Sequence, residues 1–114
     1  MKVHDALALA AAAVAVRPDR PATALVHDSA DARVVLFRIE PGQEVPVHTS
    51  PSTVLLMVVS GAGTVAGSAG EQSVRAGDII AYDVEEAHGM RAGGQPLVIA
   101  AVIAPRPAVR SPSS

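Results

Sequence analysis

Few side chains here could do chemistry. The chain has four histidines and no cysteine, which excludes disulfides, thiolate nucleophiles and Cys-based zinc or iron–sulfur sites. Imidazoles remain as the groups able to bind metal or move a proton near neutral pH. His48 and His88 stand out, each in a short apolar stretch, Val45-Pro46-Val47-His48 and His88-Gly89-Met90. Two neutral imidazoles suit a divalent transition metal such as zinc, nickel, iron or copper, whose protein sites normally use three or four ligands. Without metal they would be general acid/base or hydrogen-bonding groups, their basicity lowered by desolvation. His4 and His27 could supply a third ligand only if the amino-terminal segment folds over the site. Asp83, Glu85 and Glu86 precede His88; one carboxylate could orient that imidazole, although short acidic loop runs are ordinarily solvated. Met57 and Met90 are expected as core filler. Gly61-Ala62-Gly63 is a turn and not a phosphate loop, since no Lys-Ser or Lys-Thr follows it.

The elements that must position these residues follow from the hydrophobic pattern. The 114 residues are 49% hydrophobic with a net charge of -2, enough for one core. A slightly acidic chain with one Phe, one Tyr and no Trp offers nucleic acid neither phosphate-binding charge nor stacking surface. From Pro21 onward, short Val/Ile/Leu runs alternate with turn residues. They predict strands over Thr23–Val26, Arg33–Ile39, Val45–His48, Thr53–Val59, Gly63–Ala66, Gln72–Arg75, Ile79–Tyr82, His88–Arg91 and Leu97–Ile103, an all-β sandwich or barrel. Before them, the Ala-rich run Ala6 to Val16 predicts a helix capped by Asp5 and stopped before Arg17-Pro18. It is too short to span a membrane. A secretory leader is the competing reading, but a single Lys offset by Asp5 is a poor leader start, so a cytoplasmic protein is expected. The expected organisation is a 1–20 amino-terminal segment, a 21–104 β-barrel domain and a 105–114 flexible Pro/Ser-rich tail.

Alternation places His48 and Ser50 on one strand face, with Val54, Leu56 and Val58 of the next strand and His88 and Met90 of a third facing the same space. That would make a pocket of two imidazoles and a hydroxyl in an aliphatic wall. Val54–Val59 and Leu97–Ile103 are apolar on both faces, which predicts a homodimer covering the face turned away from the core.

Two stretches resemble the paired signatures of the cupin superfamily, small jelly-roll β-barrels. Gly42, His48 and Gly61 fall at the intervals of the first signature, and Gly77 and His88 at those of the second. The resemblance covers roughly residues 32–104 and implies an all-β jelly-roll barrel preceded by the short Ala-rich helix. It also implies a site at His48 and His88, where a metal-binding cupin would use three His and one Glu. Ser50 occupies the second His position and Val54, or Leu55 with the longer spacing, the Glu position. Asp83, Glu85 and Ala92 stand where the second signature has Pro, Gly and Asn. The residues therefore leave three readings open. The first is a small-molecule-binding barrel with a degraded metal site. The second is a metal-dependent oxygenase or isomerase using His48 and His88, and the third a structural or regulatory dimer with a residual pocket.

Overall fold

The computed structural model describes residues 1–106. All nine expected strands form, each bounded within two residues of its predicted ends: β1 (Ala22–Asp28), β2 (Arg33–Ile39), β3 (Glu44–His48), β4 (Thr53–Ser60), β5 (Ala62–Gly67), β6 (Gly70–Arg75), β7 (Ile79–Tyr82), β8 (His88–Ala92) and β9 (Leu97–Ala104). They make two antiparallel sheets in a jelly-roll arrangement, one in the order β1-β2-β9-β4-β7 and the other β3-β8-β5-β6.

Period-two alternation explains the core. Val54, Leu56 and Val58 of β4 lie opposite Ile103, Ala101 and Ile99 of β9, and Ile39 of β2 opposite Leu97. Val65, Val74 and Met90 answer them from the second sheet, and all of these except the half-buried Ile103 are buried core residues. Their branched side chains suit a pleated surface packed on one side. The turn after β6 carries the chain between the sheets and is tied to β4, with Gly77 N–H donating to Val58 O and Val58 N–H to Asp78 O, both at 2.9 Å.

The amino-terminal helix is shorter than its apolar run. α1 spans Ala6–Ala12, its start capped by the Asp5 carboxylate, which accepts from Ala8 N–H at 3.0 Å. Ala13 is already extended, and Val14 and Val16 are exposed. The cause is tertiary. Arg38, from the outer face of β2, donates to the carbonyls of Ala10, Ala11 and Ala13, satisfying groups that another helical turn would have used. Leu36, on the same face of β2 as Arg38, is 2% exposed on the side where α1 packs.

Of the expected tail, only Pro105 and Arg106 lie within the described residues. Ser52 Oγ donates to Pro105 O at 2.7 Å, and Arg106 Nε lies 2.6 Å from Asp28 Oδ1. Among the described residues no helix is long and apolar enough to cross a membrane.

Candidate functional site

β3 ends and β8 begins at the same end of the sandwich, so His48 and His88 are cross-strand partners. Their ring centroids are 4.2 Å apart with the planes tilted by 60°. Register along β3 shifts between Val45 and His48. Simple alternation from Val45, which packs on the core, would have set Val47 opposite His88. The extra residue at Pro46-Val47 brings His48 there instead. Pro46 has no N–H to give, and β3 tolerates it because it is an edge strand.

Each ring is oriented by its own backbone. His48 Nδ1 lies 2.8 Å from Pro46 O and His88 Nδ1 lies 3.1 Å from Glu86 O. A carbonyl oxygen can only accept, so both Nδ1 atoms carry the proton and both Nε2 atoms are bare acceptors in the neutral rings. His48 is exposed whereas His88 is 5% exposed. Burial lowers the His88 pKa from its ordinary value; the bond to Glu86 O opposes that shift, the charge of His48 adds to it, and the Glu86 carboxylate opposes it. Tyr82, 5.1 Å from His88 between ring centroids, donates its hydroxyl to Ala66 O at 2.7 Å. Burial, and then the nearby Glu86 charge, push its pKa up.

The acidic run before His88 is more than a solvated turn. Glu86 Oε1 accepts from Asp83 N–H at 3.0 Å, and Oε2 accepts from Ser68 N–H and Oγ–H at 3.1 and 2.9 Å. These bonds hold its carboxyl below the usual carboxylate range. Glu86 therefore pins the β7–β8 loop to the β5–β6 turn, and it orients His88 through its backbone carbonyl, not its carboxylate. Asp83 and Glu85 are exposed. The Glu85 N–H donates to Ser50 O at 2.9 Å, joining this loop to the one after β3.

The remaining candidates fall into two groups. Val54, Leu56, Val58 and Met90 are buried in the core. Ser50 lies beyond the end of β3, half-buried, and its hydroxyl accepts from Ser52 N–H at 3.1 Å. Alternation along β3 thus does not reach Ser50; the contact with Glu85 places it. His27 bonds Ser29 Oγ at 3.1 Å and shares a surface cleft with His4, Lys2 and Asp28. Tyr82 and Ser68 escaped notice in the sequence, and the Glu86 carboxylate, expected there as a solvated group or one orienting His88, instead ties two loops together. Ser68 is eighteen residues from Glu86, and only the pairing of strands brings them together.

The donor set does not fit a resident metal with three or four protein ligands. The pair supplies two imidazoles, Ser50 offers a neutral hydroxyl already in use, and Val54 offers hydrocarbon. Among the described residues there is no group of three or more His, Cys, Asp or Glu able to hold an ion.

Comparison with known proteins locates this arrangement. A family model described as a cupin domain matches residues 35–103. No curated protein sequence matches the chain. Among solved structures, TT1209 from Thermus thermophilus superposes with a TM-score of 0.83 at 25% identity, over 94% of this chain and all (100%) of that one. A conserved protein with a double-stranded β-helix domain from Klebsiella pneumoniae gives 0.80 at 25% identity, covering 93% and 91% of the two chains. An RmlC-like cupin protein from Desulfovibrio desulfuricans gives 0.77 at 29% identity, covering 92% and 97%.

Proposed function

The chain belongs to the cupin-domain family, and from that premise we propose that it binds a small molecule at the end of the sandwich where His48 and His88 meet. One observation carries this reading. His88 is only 5% exposed, yet its Nε2 has no hydrogen-bond partner among the described residues. An acceptor sealed in the interior without a partner would cost about 1–3 kcal/mol. A ligand that donates to Nε2 from the side of the exposed His48 ring would supply the missing partner and remove that cost. Ser50 would line the rim, with Val54, Leu56, Val58 and Met90 as the aliphatic wall beneath.

The test is a ligand screen by thermal shift and by histidine side-chain NMR, on protein purified without chelator. Ligands are expected to stabilise the wild type and to lose that effect in His48→Ala, which removes an exposed ring and leaves the core intact. Equal stabilisation of wild type and variant would overturn the reading. Elemental mass spectrometry on the same sample is expected to find well under one transition metal per chain. Zinc, nickel, iron or copper near one per chain, lost in His48→Ala, would favour the metal-dependent enzyme instead.

We further propose that the protein works as a homodimer in the cytoplasm. Leu55, Met57, Val59 and Val102 stand half-buried on the outer face of the five-stranded sheet, and Ile79 at its edge is 70% exposed. The packing of α1 on β1 and β2 supports retention of the amino-terminal segment in the working protein.

A further inference from the structure

From the hydrogen bonding of the two rings we infer the class of ligand: a neutral polyhydroxyl compound that donates hydrogen bonds to the Nε2 atoms of His48 and His88. This rests on the binding reading above and goes beyond it. Each Nδ1 proton is committed to a backbone carbonyl two residues earlier, Pro46 O for His48 and Glu86 O for His88. The pair therefore presents two acceptors and no donor. Neither ring bonds the other, as two bare acceptors cannot.

Among the described residues the Ser50 hydroxyl at the rim, whose oxygen accepts from Ser52 N–H, keeps its proton, while the two other nearby hydroxyls have given theirs away. The Tyr82 hydroxyl proton is given to Ala66 O, and the Ser68 hydroxyl proton to Glu86. Among the described residues no fixed cation acts on His88. The charged groups whose fields reach His88 are His48 and the Glu86 carboxylate, while Arg33 and Arg106 are drawn to Asp28. A carboxylate ligand would face two lone pairs with the Glu86 carboxylate close by, which is repulsive. An ammonium ligand would find acceptors, but the Glu86 carboxylate is already taken by three donors and is not free to pair with it. Neutral hydroxyls satisfy the acceptors without bringing charge. With the ring centroids 4.2 Å apart, one small polyhydroxyl molecule can reach both rings.

The experiment has two stages. A long-range 1H–15N spectrum of the free protein above neutral pH is expected to show both rings protonated at Nδ1 and bare at Nε2. An Nε2–H ring at either position would overturn the ligand class while leaving the binding reading intact. The protein is then titrated with sorbitol, gluconate and glucamine, which share a skeleton and differ in charge. Sorbitol is expected to shift both Nε2 resonances at concentrations at least about tenfold below gluconate, a difference worth about 1.4 kcal/mol, and below glucamine. Gluconate or glucamine acting first would overturn the neutral class in favour of an anion or a cation, with the site itself upheld. Movement of neither ring with any of the three would overturn the site as well.

Discussion

Glu85 shows what one residue can hide. It stands where the second cupin signature has glycine, and its φ is +66°, the left-handed conformation in which a side chain is strained. The backbone geometry survives although the residue that makes it easy has gone, held by the Glu85 N–H bond to Ser50 O. Glu85→Gly should therefore stabilise the fold by up to about 1 kcal/mol, strain relief being partly offset by the freer unfolded chain. A lower urea midpoint for the variant would contradict this. Gly61 is the opposite case: a Cβ there would come within 2.1 Å of Pro96 O at a φ of +81°, so Gly61→Ala should destabilise by several kcal/mol, more than a strained φ of about 1–3 kcal/mol alone would explain. His88 supplies a pH test. Its pKa is lowered in the folded state, so as pH falls below about 6.5 the unfolded chain takes up the proton first and stability declines. Urea midpoints at pH 7.5 and 5.5 should differ more for the wild type than for His88→Gln, and equal differences would show that His88 does not contribute. The spacing of Gly42, His48, Gly61, Gly77 and His88 was legible in the sequence because each serves a local backbone or strand position. The tie made by the Glu86 carboxylate was not, since its partner Ser68 lies on a distant turn.

Among the elements, the strands were legible and the end of the helix was not. Branched apolar residues alternating between turns define strands locally, whereas α1 is terminated by Arg38, which lies 25 residues beyond Ala13 in the chain. That guanidinium, also paired with Glu40 at 3.0 Å, is the polar tie between α1 and the sheet. A seven-residue helix is too short to persist alone in water. Arg38→Met should keep much of the aliphatic packing but lose the carbonyl bonds, costing about 1.5–3 kcal/mol for bonds to a charged donor. Amide exchange measured residue by residue should then accelerate across Ala6–Ala13 and stay slow in β4 and β9. Uniform loss of protection would show that α1 is integral to the core. β3 marks the other limit of local reading: the Pro46 irregularity moved His48 into register with His88 and left Ser50 off the strand.

For the whole molecule, the proposed homodimer rests on the outer face of the five-stranded sheet. A second copy laid on Leu55, Met57 and Val102 would form an isologous contact, each patch answering itself. Sedimentation of the wild type should report a dimer, and Met57→Glu a folded monomer with an unchanged far-UV spectrum. A wild-type monomer at micromolar concentrations would refute the homodimer. The edges of the two sheets add a further consequence. β3 carries Pro46, β6 carries Glu71 and Arg75, and β1 is bulged near His27. β7, Ile79-Ile80-Ala81-Tyr82, has neither proline nor charge, although such edges commonly need one or the other. Pairing of the adjacent sheet faces would crowd other chains away from it. Failure of self-association should then appear first as turbidity and slow precipitation, with the chains still folded, and Ile79→Lys should clear the solution of an otherwise monomeric variant.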